Sequence, residues 1–223
     1  MMQRFDVIRA GIISHEIVTE EMKRLQNLRI DNKIPDTLIF VEHPEVVTIG
    51  PRARNDGVSV PDEYATSSID RGGGITWHGP GQLVAYPIFH WNLEGESNVA
   101  NIINLLEDWI INSLRPLGIE TQRDERMQGI WHSGQKISSV GLQFLKWVSR
   151  HGFTINYNTP LGRVENLAGC GLEKGTTTSL RALGKGELTR DVLEAMLLSM
   201  APVSINRVLG EQKRFQGPPP WNI

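Results

Sequence analysis

Residues 71–82 read R-G-G-G-I-T-W-H-G-P-G-Q, and five of these twelve residues are glycine. The stretch leads into the apolar run Leu83–Phe89, so it decides how the chain bends before a strand begins. Gly72, Gly73 and Gly74 remove three side chains in succession, which lets a ligand contact bare backbone and receive hydrogen bonds from its N–H groups. Two interpretations fit this composition, an awkward bend in a hairpin and the wall of a binding site.

These glycines do not form a nucleotide-binding fingerprint. In the pattern G-x-G-x-x-G, the position after Gly72 and Gly74 that needs the third glycine is occupied by Trp77. The pattern G-x-x-x-x-G-K-[ST] does not occur in the sequence. The sequence therefore gives no strong support for a phosphate cradle.

Composition predicts one globular domain over residues 1–223, with residues 211–223 as an extended tail. The chain is 39% hydrophobic and 22% charged, as globular proteins are, and no apolar run reaches the about 18 residues that span a bilayer. A net charge of −2 without dense basic clusters argues against nucleic-acid binding. One cysteine excludes an intrachain disulfide, and the start lacks the pattern of a secretory signal, so a reducing, cytoplasmic location is expected.

Three segments have the apolar spacing of amphipathic helices. The first is Ser14–Ile30, and the second is Val99–Leu114, which Ser97 or Asn98 can cap. The third follows Thr189, a residue that is also a suitable N-cap. Each segment is long enough to cover one face of a sheet.

Short β-prone runs, separated by turn signals, lie between these helices. They outnumber the helices and several follow one another at hairpin spacing, which favours a mixed β-sheet flanked by helices over a regular βαβ alternation. The predicted class is α/β of the α+β type. The runs are Thr37–Val41, Val46–Ile49, Leu83–Phe89, Gln128–His132, Lys136–Gln143 and Gly152–Asn156.

Cys170 and Lys136 are the candidate catalytic residues. A lone cysteine is usually a small buried hydrophobe, but Gly169 and Gly171 leave the sulfur of Cys170 open to approach. A thiol reacts as the thiolate, so it needs a cation or base nearby. Lys136 opens a run of otherwise apolar or small residues, where its amine needs a partner; the alternative is a lysine snorkelling at a strand edge. The histidines show no metal-ligand spacing, so no metal site is predicted.

Taken together, these places resemble the lipoyl(octanoyl) transferase family. Residues 71–82 are similar to its signature R-G-G-x-x-T-[YW]-H-G-P-G-Q, and the resemblance extends over about residues 37–180. The family usually has proline before its cysteine, whereas this chain has Gly169. The further matching segments are Glu42–Pro44 with Thr48–Gly50, Gly134–Ile137 with Val140–Gly141, His151–Phe153 with Asn156, Cys170–Gly171 and Thr178–Ser179.

The resemblance implies the fold of biotin/lipoate-protein ligases and a reaction. In that reaction an octanoyl group passes from octanoyl-acyl carrier protein to a lysine of a lipoyl domain, in the E2 subunits of 2-oxoacid dehydrogenase complexes or in the glycine cleavage H protein. A cysteine thioester carries the acyl group, so neither ATP nor a cofactor is required. A monomer is expected.

The resemblance also implies the roles of individual residues. Cys170 would be the nucleophile and Lys136 the cation that holds its thiolate and then serves as base, while Thr76 and His78 would position the thioester. The glycine backbone and two strand segments would line a tunnel for the acyl chain. The implied substrate-binding residues are Arg71, Gly72, Gly73, Gly74, Ile75, Thr76, Trp77, His78, Ser139, Val140, Gly141, Gly152, Phe153 and Thr154.

Two alternatives remain open at the level of sequence. One is an ATP-dependent lipoate or biotin ligase, which activates a free acid and needs no cysteine. The other is a non-catalytic partner-binding relative, against which the presence of both Lys136 and Cys170 argues. The sequence leaves open the preferred lipoyl domain, the acyl length, and whether the compartment is a bacterial cytoplasm or an organelle.

Overall fold

The computed structural model describes residues 2–54, 60–167 and 172–223, and within these ranges it contains three α-helices and eleven β-strands. The helices are α1 (His15–Ile30), α2 (Val99–Leu114) and α3 (Arg190–Ile205). The strands are β1 (Gln3–Ile12), β2 (Asp36–Glu42), β3 (Val46–Ile49), β4 (Thr66–Ser68), β5 (Ile75–His78), β6 (Gln82–Ile88), β7 (Ile130–His132), β8 (Gln135–Ser138), β9 (Val140–Leu145), β10 (Val148–Asn156) and β11 (Arg207–Phe215).

The largest sheet has six strands in the order β11–β1–β2–β6–β10–β9. Strand β1 runs parallel to both β11 and β2, whereas the pairs β2–β6, β6–β10 and β10–β9 are antiparallel. This mixed sheet, with helices on it, confirms the predicted α+β class. Across the described residues, no helix combines the length and the apolar content that crossing a bilayer requires.

Helices cover the two faces of this sheet. Along β2, Leu38 and Phe40 point into the core beneath α2 and α3, while Ile39 and Val41 point into the core beneath α1. This alternation is the ordinary consequence of the two-residue period of a strand. The sheet is therefore buried on both faces, and a site must form at its ends or edges.

Local sequence signals placed the starts of the helices to within one residue. Helix α1 begins directly after Ser14, and α2 has the predicted bounds. The Asn98 side chain accepts a hydrogen bond from the Asn101 N–H at 2.9 Å, so Asn98 rather than Ser97 is the N-cap. Thr189 caps α3 in the same way, through the N–H of Val192.

The strand prediction was wrong where one run turned out to be two strands. The run Lys136–Gln143 divides at Ser139 into β8, which pairs with β7, and β9, which pairs with β10. The N–H of Ser139 donates to Oγ1 of Thr154 at 3.2 Å, so a side chain replaces a ladder bond at this break. A run that changes partners in this way gives no local sign of it, because the residue types on both sides suit a strand.

Residues 211–223 differ in part from the expected extended tail. Residues 211–215 complete β11, which is paired with β1 at the edge of the large sheet. Beyond it, Trp221 is 1% exposed and joins the core beneath α1, where its backbone N–H donates to Oε1 of Glu21 at 3.0 Å. Burial of this indole against α1 anchors the end of the chain.

A second sheet of three strands, in the order β4–β3–β5, lies beside the large one. It has a core of its own, which includes Ile75 and Trp77 from β5 and Val164 and Leu167 from a later loop. The hairpin of β7 and β8 forms a third, two-stranded sheet. The candidate site lies where these two small sheets meet β9 and β10.

Candidate active site

The segment Gly72–Gly74, which we call the glycine wall, runs against two neighbouring parts of the backbone. The N–H of Gly50 donates to the carbonyl of Gly74 at 3.0 Å, and the N–H of Gly72 donates to the carbonyl of Leu142 at 3.0 Å. A Cβ atom at Gly50 would overlap the carbonyl oxygen of Gly73, which itself has a φ of +97°. Glycine is required at these places because the backbones approach too closely for side chains.

Arg71 is buried and folds back onto the glycine wall. Its Nη1 donates to the carbonyl of Gly72 at 3.0 Å, and its Nη2 donates to Oγ1 of Thr48 at 2.9 Å. A Cβ at Gly141 would lie 3.1 Å from Cδ of Arg71, so the arginine stem occupies the space that a side chain would take. Arg71 thereby fixes the wall against both β3 and β9.

His78, Gln82 and Asn156 form a buried hydrogen-bonded row. His78 Nδ1 lies 2.8 Å from Oε1 of Gln82, which can only accept, so Nδ1 carries the hydrogen. Gln82 Nε2 donates to Oδ1 of Asn156 at 2.8 Å, and Asn156 Nδ2 donates to the carbonyl of Thr178 at 2.9 Å. At the other end of the row, His78 Nε2 lies 3.2 Å from the Thr48 hydroxyl that Arg71 also contacts.

Lys136 lies on β8 and is 4% exposed. Its backbone N–H donates to the carbonyl of Thr176 and its carbonyl accepts from the N–H of Thr178, both at 2.8 Å. A Cβ at Gly129 would lie 2.6 Å from Cε of Lys136. The lysine side chain fits here because residue 129 has no side chain of its own. The Thr178 backbone thus connects Lys136 to the buried row that ends at Arg71.

Lys136 borders a cavity of about 330 Å³. Leu167 and Leu172, which flank residues 168–171, both line this cavity. Cys170 and its neighbours Gly169 and Gly171 lie outside the described residues. The sequence-predicted residues that line the cavity are Arg71, Gly73, Gly74, Ile75, Thr76, Trp77, Lys136, Ser139 and Val140.

A second cavity of about 30 Å³, which we call the histidine chamber, adjoins the first. The two share Arg71, Thr76, Ser139 and Val140 as lining residues. Gly72, the first residue of the glycine wall, lines neither cavity, and its N–H donates to the carbonyl of Leu142. The remaining sequence-predicted residues line the chamber: His78, Gly141, Gly152, Phe153 and Thr154.

Four buried histidines lie in or beside this chamber, and all have lowered pKa values. Burial, with smaller contributions from His43, His151 and Arg71, lowers the pKa of His15 to about 3. Burial lowers the pKa of His43 to about 4, and that of His151 to about 4 in spite of a hydrogen bond to Asp70. Burial also places the pKa of His78 well below its ordinary value. The four imidazoles are therefore neutral near pH 7.

Hydrogen-bond geometry fixes the tautomer of His43 as well. Its Nδ1 lies 2.6 Å from the carbonyl of Ile13, which can only accept, so Nδ1 carries the hydrogen. Nε2 then accepts from the hydroxyl of Tyr86 at 2.8 Å. In the part of the chain that the structure describes, no group of three His, Cys, Asp or Glu side chains is arranged to hold a metal ion.

Sequence reasoning missed several residues of this region. Gln82 is the last residue of the glycine-rich motif, and Asn156 lies in a segment that matches the family. Both residues could therefore have been named as site residues from the sequence, but no role was predicted for either. His15, the first residue of α1, carried none, because its segment reads only as an amphipathic helix. Leu167 and Leu172 also line the cavity from a loop whose position no local pattern predicts.

Residues 19–200 match the family model described as the lipoyl protein ligase A/B catalytic domain. A protein named octanoyltransferase from Caldicellulosiruptor bescii is 36% identical over 217 residues, which are 92% of this chain and 94% of that protein. Another of that name, from Syntrophobacter fumaroxidans, is 34% identical over 83% of this chain and 84% of its own length.

Solved structures of ligases share the fold. A lipoate-protein ligase A bound with ATP superposes with a TM-score of 0.68 at 14% identity, covering 97% of this chain and 90% of that one. A biotin protein ligase from Aquifex aeolicus gives a TM-score of 0.52 at 12% identity, covering 92% and 69%. At these identities the likeness concerns the fold, and it confirms the predicted biotin/lipoate-ligase architecture.

Proposed function

The chain belongs to the lipoyl protein ligase A/B catalytic-domain family and is an acyltransferase, and from this premise we propose a specific reaction. It transfers an octanoyl group from octanoyl-acyl carrier protein to a lysine of lipoyl domains. The acceptors are the E2 subunits of 2-oxoacid dehydrogenase complexes and the glycine cleavage H protein. Because the donor is already a thioester, the transfer needs neither ATP nor a cofactor.

The observation that carries this proposal is the placement of Lys136 on the same cavity as Leu167 and Leu172. Two peptide units separate Cys170 from Leu172, so covalent geometry limits their Cα atoms to about 7 Å apart. We propose that the Cys170 thiol meets the buried side chain of Lys136 at this cavity. Residues distant in sequence would then supply the nucleophile and the cation that it requires.

The proposed cycle balances its protons between these two residues. The Cys170 thiolate, held by the Lys136 ammonium, attacks the thioester carbonyl, and the carrier thiol leaves with a proton from Lys136. The neutral Lys136 amine then accepts a proton from the acceptor lysine as that amine attacks the acyl-enzyme. Cleavage of the second thioester releases Cys170 as the thiolate and restores the starting ion pair.

The larger cavity, which leads toward the histidine chamber, supplies a place for the acyl chain. The wall at Gly73 and Gly74 offers backbone without side chains, and Val140 lines both cavities. Phe153, which is 1% exposed, borders the histidine chamber, which lies beyond the glycine wall and Val140. We assign the acyl chain to the route that runs from the thioester, past the glycine wall, toward Phe153. A buried route of this kind shields the chain and the acyl-enzyme intermediate from water.

The second candidate is ATP-dependent ligation of a free acid on the same fold. The ligase structure bound with ATP favours it only through the fold, since the identity is 14%. The relatives that are 34% and 36% identical carry the name octanoyltransferase instead. The two chemistries differ in their need for Cys170, because adenylation of an acid uses no thiol.

Intact mass spectrometry separates the two candidates. We expect incubation with octanoyl-acyl carrier protein, without ATP, to add one octanoyl group to the wild-type chain and none to Cys170→Ala. Addition of a lipoyl domain should then discharge the adduct onto the acceptor lysine. Cys170→Ser is the closely matched control, because it keeps the size of the side chain and is a far weaker nucleophile. The proposal is wrong if no adduct forms and acceptor labelling requires ATP with a free acid.

A further inference from the structure

The histidine chamber is unusual for the end of an apolar route because polar groups form much of its lining. His15, His78, Tyr86, His151 and Thr154 all border it, and each is at most 5% exposed. The ring of His15 stacks with that of His78 at 5.6 Å and with that of His151 at 6.4 Å. The chamber is thus a buried space with several polar groups in its lining, and it shares lining residues with the larger cavity.

The side-chain hydrogen bonds of the His15 and His151 rings, among the described residues, each engage one ring nitrogen. Nδ1 of His15 lies 3.5 Å from Oγ1 of Thr19, and Nε2 of His151 lies 3.1 Å from Oδ1 of Asp70. Tyr86 donates its hydroxyl hydrogen to His43 and so keeps acceptor capacity on its oxygen. Buried polar groups of this kind are ordinarily satisfied by ordered water.

The size of the chamber suits such water. A buried water needs about 10 to 15 Å³ of accessible cavity and two to four polar partners. The chamber, at about 30 Å³, has room for one or two waters and offers the imidazoles, the phenol and the threonine as partners. The neutral state of the imidazoles leaves each of them able to donate and to accept one hydrogen bond.

We propose that the histidine chamber is a hydrated polar stop that sets the longest acyl chain the enzyme accepts, with His15 as a specificity-determining residue. This inference rests on the proposed function, in which the acyl chain runs past the glycine wall toward Phe153. A chain two methylenes longer than octanoyl would displace the water and leave the chamber's polar groups unpaired. Hydrocarbon could not replace those hydrogen bonds, so decanoyl substrates react less well.

His15 is the position at which this stop can be altered selectively. It comes from α1, outside the glycine-rich motif, and it contacts neither Lys136 nor the buried row from His78 to Asn156 by a hydrogen bond within the described residues. Leucine and glutamine are both close to histidine in size. His15→Leu makes the end of the route apolar, whereas His15→Gln keeps a donor and an acceptor.

The test measures kcat/KM for octanoyl and decanoyl thioesters of acyl carrier protein with a lipoyl domain as acceptor. We expect the wild-type chain to prefer octanoyl, and His15→Leu to raise the decanoyl-to-octanoyl ratio by about tenfold. His15→Gln should keep the wild-type preference. Tyr86→Phe, an isosteric change in the same chamber, provides a second readout if His15→Leu does not fold, and should raise the ratio in the same direction.

Each outcome decides the inference. An unchanged ratio in His15→Leu, or in Tyr86→Phe if His15→Leu does not fold, overturns it, as does a wild-type chain that accepts both lengths equally. A ratio that rises as much in His15→Gln as in His15→Leu also overturns it, since size rather than polarity would then be the cause. Failure to form an acyl-enzyme from any chain length would overturn the proposed function, and this inference with it. That result is distinct from an unaltered length preference.

Discussion

The core beneath α2 and α3 and the wall of the cavity are built by opposite means. In the core, Trp109 is fully buried, packs edge-on against Phe153 at 5.6 Å and donates to the carbonyl of Leu197 at 2.6 Å. At the glycine wall, side chains are missing and backbone carbonyls meet the guanidinium of Arg71. The core fills space with apolar atoms, whereas the wall clears space and holds it open with polar contacts.

Phe153 joins the two regions. One part of its ring contacts Trp109 in the core, and the residue also borders the histidine chamber. Apolar packing therefore supports the floor of the site, while hydrogen bonds position its walls. We expect changes in the core to act first on the free energy of unfolding, and changes in the wall or at Lys136 to act first on transfer.

Among the described residues, the largest effect on activity is expected at Lys136. Lys136→Met keeps an unbranched side chain but removes the amine, so the octanoyl transfer rate should fall by about 10²-fold to 10⁴-fold. Single-turnover transfer from octanoyl-acyl carrier protein measures this. The same change at exposed Lys146 should leave the rate within about twofold. Equal loss in both variants would contradict a specific role for the buried lysine.

The largest effect on stability is expected in the core. Trp109→Ala leaves a cavity beneath α2 and should lower the free energy of unfolding by about 3 to 5 kcal/mol, measured by chemical denaturation. Trp147, which is 46% exposed, is the matched control, and its replacement by alanine should cost about 1 kcal/mol or less. Similar losses at both positions would remove the distinction between core and surface indoles.

Acid should lower the stability of the folded chain through the buried histidines at the site rather than through the apolar core. The folded chain holds His15 at a pKa of about 3, and His43 and His151 at about 4, while an unfolded imidazole titrates near 6.5. The unfolded chain therefore binds more protons as pH falls below about 6.5. The histidine contribution to stability should be complete above about pH 7 and decline toward about pH 4, by about 1.4 kcal/mol for each imidazole at pH 5.5.

Chemical denaturation across this pH window checks the prediction. His15→Gln removes one of the titrating groups, so its stability should decline less steeply than that of the wild-type chain. A stability that rises on acidification would show that the imidazoles gain protons in the folded state. The pKa of Asp70, which contacts His151, lies below its ordinary value because desolvation is outweighed by hydrogen bonds from Arg150 and His151, so titration of Asp70 would not produce the decline.

A smaller effect is expected where the glycine wall meets β3. Gly50→Ala places a methyl group against the backbone of Gly73 and should lower the free energy of unfolding by about 1 to 3 kcal/mol. Because the wall must shift, KM for the acyl donor should rise as well. Gly11→Ala on β1 is the control, since its Cβ would meet nothing within 4 Å. An equal response to the two substitutions would show that close approach is not the reason for glycine at position 50.

Several features of the fold could be read from local sequence because their causes are local. The side chains of Asn98 and Thr189 accept hydrogen bonds from free backbone N–H groups in the first turns of α2 and α3. A few residues are therefore enough to predict where these helices begin. Strands β1 and β11 were missed: β11 is an edge strand whose many exposed polar residues obscure alternation, and β1, which pairs with it, also carries polar residues at several positions. The division of one run at Ser139 depends on which strands lie beside it, and no local signal reports that.

The sequence by itself determined the fold class, the helices, the close backbone approach in residues 71–82 and the identity of the residues proposed to react. Only the tertiary structure decided that Lys136, the glycine wall and the loop at Leu167 and Leu172 border one cavity, and that His15 closes a chamber beyond it. The physical reason is that caps, turns and side-chain periodicity act over a few residues. A cavity is shaped instead by packing between elements about a hundred residues apart, and its polar groups show their partners only after the sheets have met.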